Sequence, residues 1–366
     1  MPKNFDLLTA RVGVRVLVDD APLTPAAPVM WPSMGEYPVY DAGQYRVLTS
    51  DENRNARFRA ALRHLAGNRT VLDIGTGADV LWARESIAAG ARHAIAMEVM
   101  DDTCAAASEL IAESGLENSI TLLKGTSTEL TVEPKADVCV AEVIGSVAGA
   151  EGAAVVLGDA RRRLLNPGGR VVPHRCVTRA AAVSLSAVLG GREPAFGPGA
   201  IPLLERIFDW NGAPFDVRLR IRDPDRSAVI STDEPVEVLD FNGDLSSEQE
   251  QQVTLTVERP GRVDGVLTWM QMSCLPDEVP LDALRDDTSW ASVYFPLFPR
   301  EVAVEPGDRL QLGFRTTLSD DGLHPDYHLS ATLHAGGAAL SARFSSLHHG
   351  DVLHSHPVYR KLLLPL

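Results

Sequence analysis

The chain has only four lysines, only four cysteines, and no apolar run near the ~18 residues that a membrane span requires. Each scarcity narrows the classes of function. Cys104, Cys139, Cys176 and Cys274 lie far apart with no CxxC pair, which argues against a thiolate zinc cluster or a disulfide frame and predicts reduced, mostly buried thiols. Basic residues are outnumbered, 34 Lys+Arg against 49 Asp+Glu, for a formal net charge of -15. That balance weakens the case for nucleic acid, whose binding relies on a concentrated basic footprint. It favours instead a cationic small partner such as an amine or a guanidinium. The opening MPKNFDLLTARVGV lacks the basic start, apolar stretch and cleavage site of a secretory leader, so a cytoplasmic protein without a membrane segment is expected. No internal repeat or low-complexity tract breaks the sequence.

What is present is a long, moderately apolar chain of 366 residues, 45% of them hydrophobic, enough for two or three cores. Three textures follow one another. Residues 1–45 are proline-rich and irregular, with Trp31, Tyr37, Tyr40 and Tyr45 close together. From 46 to 176, short apolar runs alternate with alanine-rich helical stretches: TVLDIGTG, HAIAMEV, SITLLKG and ADVCVAEVIG read as strands, WARESIAAGA and DTCAAASELIAESG as helices. GAAVVLGDARRRLLNPGG reads as a further helix closed by Pro-Gly-Gly, and RVVPHRCV as one strand. This alternation predicts a doubly wound α/β domain, a parallel sheet with helices on both faces. From 177 to 366 the pattern is period-two. AAAVSLSAVL, VRLRIRD, PVEVLDF, QQVTLTVE, RVDGVLTWMQM and YHLSATLH predict an antiparallel β-barrel. The stretch 191–210 interrupts it with an apolar helix around LLERIF, expected to be an arm that docks on a second subunit, giving a homodimer.

Chemistry concentrates in the α/β part. VLDIGTG is a strand, a glycine turn and a helix start, with Asp73 at the strand end and Gly75 and Gly77 permitting close backbone approach to a ligand. The third glycine of a nicotinamide fingerprint is missing. Glu98 ends the next strand, 23 residues beyond Gly75, where a carboxylate takes both hydroxyls of a ribose. Further on, AEVIGSVAGAEG carries Glu142 and Glu151 nine residues apart on one loop at the same edge.

That loop resembles the double-glutamate loop of the protein arginine methyltransferases. YPVYDAGQYRVLTSDENRN, RRRLLNPGGRVVPHR and DDTSWASVYFPLFP resemble that family's aromatic helix, the end of its cofactor domain and its Thr-His-Trp loop, so the likeness runs from about residue 37 to about 315. The resemblance implies S-adenosyl-L-methionine as cofactor and an arginine guanidino nitrogen as acceptor, with Glu142 and Glu151 as the catalytic clamp. It implies cofactor contacts from Arg54, Asp73, Gly75, Gly77, Glu98, Tyr40 and Thr128, and a substrate pocket that includes Tyr37, Ser289 and Trp290. Ser289 stands where most members have histidine, as in the branch that makes symmetric dimethylarginine, but that branch's N-terminal barrel domain is absent. The composition resembles that of a high-GC bacterium. Bacterial relatives act on free L-arginine in natural-product routes, including routes to nitrosoureas, so the resemblance implies conversion of free L-arginine to Nω-methyl-L-arginine. A protein-modifying methyltransferase and a non-catalytic dimeric scaffold are the rivals. The C-terminal histidines His348, His349, His354 and His356 fit no common zinc spacing and are expected in a solvated tail or at a barrel edge, so no metal is assigned.

Overall fold

The computed structural model describes residues 2–8, 13–19, 27–39 and 49–365. Five parallel strands form one sheet, in the order Ile120–Lys124, His93–Glu98, Thr70–Ile74, Ala136–Ala141, Leu165–Val172. The two central strands are almost wholly buried, which is why VLDI and VCVA read as continuous apolar runs rather than alternating ones. The chain order reverses between Thr70–Ile74 and Ala136–Ala141, so the crevice for a ligand opens beyond the carboxyl ends of these neighbours.

The antiparallel half has a six-strand path, from Asp233–Asp240 through Arg175–Val183, Gly265–Ser273, Ser292–Pro296 and Leu219–Arg222 to Val29–Pro32. A four-stranded sheet, Gln249–Thr256 with Arg309–Leu318, Pro325–Ala335 and Ala338–Ser346, shares its core. The two enclose Trp269, Phe295, Phe314 and Tyr327 in the expected barrel-like arrangement, built from separate open ladders.

Several expectations change. The segment RVVPHRCV is not one strand: the parallel sheet ends at Val172 and the antiparallel one begins at Arg175. The helix Ala153–Arg163 stops before Pro-Gly-Gly, which lies within the strand Leu165–Val172. Half of AAAVSLSAVL is helical, because the Ser184 hydroxyl accepts the Ala187 N–H and turns the chain into the helix Leu185–Val188. The proline-rich start is not irregular throughout. Lys3–Leu8 and Gly13–Val18 form a hairpin that pairs with Leu363–Pro365, and Val29–Pro32 joins the barrel sheet beside Leu219–Arg222.

The helix Ala200–Asn211 occupies the stretch expected to form the arm, and its apolar residues are placed differently from the expectation. Leu203, Leu204, Ile207 and Phe208 are all buried within this single chain, against the core and the strands Lys3–Leu8 and Val29–Pro32. These four side chains are therefore covered within one chain, whereas Trp210 near the end of the same helix is exposed. Among the described residues, no helix is long and apolar enough to cross a membrane.

Candidate active site

At the carboxyl edge of Thr70–Ile74 the chain turns through Gly75 and Gly77, both at positive φ (73° and 69°), a conformation that side chains with a Cβ rarely adopt. Asp73 is fully buried. One carboxylate oxygen accepts the Thr76 hydroxyl at 2.6 Å and the Ala83 N–H at 2.9 Å, which ties the strand to the following helix. Its other oxygen is buried without a hydrogen-bond partner among the described residues. Burial raises the carboxyl to about 7; the two hydrogen bonds oppose this and the charge of Glu98 adds to it. Glu98 lies beside the turn, accepting Gly77 N–H at 3.1 Å on one oxygen and Val99 and Met100 N–H on the other. Three backbone donors hold this acid in place, and a carboxylate with about four acceptor positions keeps capacity for hydroxyl donors.

The segment after Ala136–Ala141 carries the two glutamates in a folded loop fastened from outside. Trp290 donates its indole N–H to the Ile144 carbonyl at 3.0 Å. The Thr178 hydroxyl accepts Ala148 N–H at 3.0 Å and donates to Glu237 at 2.7 Å, and the same Glu237 oxygen accepts Gly149 N–H at 3.1 Å. A Cβ on Gly149 would lie 2.7 Å from Glu237, so glycine here is what lets the loop reach its anchor. Glu142 pairs with buried Arg54 at 3.1 Å. Arg54 sits in the helix Glu52–Leu65, capped by Asp51, and its guanidinium lies 5.7 Å from the Trp290 ring centre. Asp51 uses its second oxygen to accept Ser289 N–H at 2.6 Å, so one residue positions both Arg54 and the Ser289–Trp290 loop.

The two acids differ electrically. Burial raises the Glu142 carboxyl, Arg54 lowers it, and Asp51 raises it. Burial, then the charges of Glu142 and Glu36, push Glu151 well above the ordinary carboxylate range, with Arg220 and Arg54 opposing. Glu151 is thus an acid whose charge is poorly compensated until a cation arrives.

Both acids line one cavity of about 350 Å³ with Trp31, Met34, Ser289 and Trp290. The same lining carries three arginines. Arg206 comes from the helix Ala200–Asn211, and Arg220 and Arg222 from the strand Leu219–Arg222. Along that strand Leu219 and Ile221 point into the core, while Arg218, Arg220 and Arg222 run from buried to exposed on the opposite face. Arg218 is fixed at the buried end by Glu36 at 2.9 Å, and Arg220 donates to the Ser289 carbonyl at 2.8 Å.

Over 306 residues, 73% of this chain and 44% of the relative, the sequence is 28% identical to protein arginine N-methyltransferase 7 of Danio rerio. It is 24% identical to protein arginine N-methyltransferase 1 of Saccharomyces cerevisiae over 74% of this chain and 79% of that protein. Protein arginine methyltransferase 10 of Arabidopsis thaliana, solved in a uniquely open conformation, superposes with a TM-score of 0.68 at 20% identity, covering 84% of this chain and 98% of that one. The fold is that of the protein arginine methyltransferases. A Trypanosoma brucei PRMT1 enzyme–prozyme heterotetrameric complex with AdoHcy superposes with a TM-score of 0.66 at 18% identity over 84% of this chain. The chain spans less than half the length of the methyltransferase 7 relative, and no family model matches it.

Within this arginine methyltransferase fold, the expected residues do not all gather. Arg54, Glu142, Glu151, Ser289 and Trp290 meet at the cavity, with Asp73, Gly75, Gly77 and Glu98 at the neighbouring sheet edge. Tyr37 does not. It is buried in the barrel core, donating to the His348 carbonyl at 2.8 Å and stacking on the His348 ring, and is a packing residue rather than a pocket wall. Thr128 is half-buried in the turn after Ile120–Lys124, outside the cavity that holds the acids. Tyr40 lies outside the described residues. Sequence reasoning missed Trp31, Arg206, Arg220, Arg222, Glu36 and Glu237. The one legible signal was the alternation VRLRIRD, three arginines at period two on a strand whose other face is core.

Proposed function

We propose that this chain is an S-adenosyl-L-methionine-dependent methyltransferase that acts on the guanidino group of free L-arginine and yields Nω-methyl-L-arginine in a secondary-metabolite route. The residues fit such a cofactor: Glu98 is held by backbone donors with acceptor capacity to spare for ribose hydroxyls, beside a positive-φ glycine turn. When bound, S-adenosyl-L-methionine would supply an electrophilic sulfonium methyl group, whose C–S bond breaks as the methyl is transferred, with neutral S-adenosyl-L-homocysteine as the leaving group. The chain's part is to make a poor nucleophile attack it. A guanidinium, with a pKa above ~12, has its lone pairs delocalised. Glu142 and Glu151 grip it as a fork and draw positive charge towards the nitrogens they touch, leaving a terminal nitrogen richer in electrons and fixed in direction. The attacking nitrogen sheds one proton as the N–C bond forms. Glu151, with its elevated carboxyl, is suited to receive it.

The observation that supports the free-amino-acid reading is the mixed charge of the cavity lining, which carries Glu142 and Glu151 together with Arg206, Arg220 and Arg222. A guanidinium entering first leaves an α-carboxylate behind it, and a desolvated carboxylate needs a cation or several N–H donors. An arginine inside a peptide has no such carboxylate. The rival reading, methylation of Arg/Gly-rich proteins, follows from the names of the relatives. Incubation with isotope-labelled S-adenosyl-L-methionine and L-arginine, agmatine or an Arg/Gly-rich peptide separates them. Mass spectrometry should show labelled arginine, much less labelled agmatine (which lacks the carboxylate) and no labelled peptide. Efficient peptide labelling with none of the free amino acid would reverse the assignment.

A further inference from the structure

Behind the acid loop, the strands Arg309–Leu318 and Pro325–Ala335 are joined by a tight turn organised by Asp321. One of its oxygens accepts the Ser319 hydroxyl and the N–H groups of Leu323 and His324, at 2.7, 2.8 and 2.9 Å. The other faces two imidazoles, His324 Nδ1 at 2.6 Å and His348 Nε2 at 3.5 Å. His348, at 0% exposure, is the unusual member. Neither of its ring nitrogens has a hydrogen-bond partner among the described residues. Its ring is sandwiched between His324, with centroids 4.1 Å apart, and Tyr37 at 5.2 Å. A buried polar atom left unpaired is costly. A ring with both nitrogens in that state, its Nε2 3.5 Å from a carboxylate and its face stacked on a second imidazole, points to a ligand set without its ion.

We propose that Asp321, His324 and His348 hold a divalent transition ion, with zinc as the best fit, that locks the turn against the acid loop. The one-carboxylate, two-imidazole donor set suits zinc's borderline softness. The three ligand atoms lie within 4.8 Å of one another. Bonds of ~2.0–2.2 Å around a tetrahedral ion set donors roughly 3.3–3.5 Å apart, so the His348–Asp321 separation of 3.5 Å already fits. His324 trades its 2.6 Å hydrogen bond for a metal bond by turning its ring out of the stack. Asp321 is about one-third exposed, which leaves a wet side for a water as fourth ligand. The ion's effect reaches the pocket through Leu323 in the same turn. A Cβ on Gly152, the residue after Glu151, would lie 2.9 Å from the Leu323 side chain, so the turn is the backing against which the acid loop closes.

The test uses tag-free full-length protein, stripped with chelator and then given zinc. Elemental analysis should return one zinc per chain after gel filtration, and the melting temperature should rise by several degrees with zinc and fall again with EDTA. Cobalt in place of zinc should give the absorption bands of a four-coordinate ion. His324→Ala and Asp321→Asn, both on the outer side, should fold and lose the ion together with the zinc-dependent melting shift. His348→Ala carries the same expectation but empties a buried site and can fail to fold, so the two outer variants are the deciding ones. Wild-type protein that retains no zinc and melts unchanged would overturn the proposal. So would stoichiometric zinc in both outer variants. None of these readouts depends on methyl transfer, so the metal proposal stands or falls apart from the proposed activity.

Discussion

The two walls of the cavity are made by opposite means. The acidic wall is a loop at the end of a buried parallel strand, with charges held at low exposure and set by their neighbours: Glu142 has Arg54, and Glu151 has no cation so close among the described residues. The basic wall is an antiparallel strand whose arginines climb from a fully buried residue, Arg218, to an exposed one, Arg222. Burial makes the acid end demanding, since a carboxylate out of water needs its cation in a fixed place. Exposure makes only the outer end of the basic wall, at Arg222, permissive, because solvent screens what it fails to pair there. On the proposed reading, chemistry belongs to the acids and substrate selection to the arginines.

The largest effect should come from removing the demanding charge. Glu151→Gln keeps the shape but removes half of the negative clamp, and turnover should fall by at least ~10²-fold, the scale of lost transition-state electrostatics. Initial rates with labelled cofactor measure this; full activity in both Glu151→Gln and Glu142→Gln would refute the arginine assignment. Next is Glu98→Ala, which should weaken cofactor binding by about 2 kcal/mol, the range for a charge-assisted hydrogen bond. Calorimetry with unchanged affinity would remove Glu98 from the cofactor site. On the basic wall, Arg220→Met should raise KM for arginine by about tenfold and leave agmatine, which has no carboxylate, nearly unaffected. Equal losses for both substrates would mean that Arg220 serves the acid end instead.

The smallest effect is one of stability, and its sign is the reverse of the activity effect. A carboxyl raised on folding binds its proton more tightly in the folded chain than in the unfolded one. The resulting penalty is absent below the unfolded value of about 4.3 and fully present above the raised folded one. Glu151→Gln should therefore melt higher than wild type in mildly alkaline buffer, with the difference closing as pH falls to about 4. Denaturation across that pH range checks it; a variant less stable at every pH would show that Glu151 is already compensated in the free protein.

How much of this was readable in advance follows the same division. The parallel half was legible because its strands are unbroken apolar runs punctuated by glycines whose positive φ is required. The acid loop stood out because AEVIGSVAGAEG and its flanks resemble the double-glutamate loop of the protein arginine methyltransferases. The antiparallel half was less so. Its first predicted strand hides a serine-capped helix, since Ser184 serves a strand end and a helix start equally well. Three N-terminal strands lay behind a proline count that suggested irregularity. Tyr37 looked like a pocket residue because neighbouring aromatics resemble a covering motif, whereas its hydroxyl is spent on a carbonyl more than 300 residues away, which no local pattern announces. The anchors of the acid loop, Thr178 and Glu237, are likewise remote in sequence.

That anchoring bears on how the molecule can be divided. Glu142 and Glu151 belong by sequence to the parallel half, yet the loop between them hangs from Thr178, Glu237 and Trp290, all on the antiparallel half. A fragment cut after the parallel sheet keeps the glycine turn and Glu98 but loses the three fastenings that shape the loop. Such a fragment would be a cofactor binder with no working chemistry, and grafting the loop onto a foreign nucleotide fold would fail for the same reason. The reaction centre is a joint rather than a module, and shuffling it between proteins requires carrying both sides across together.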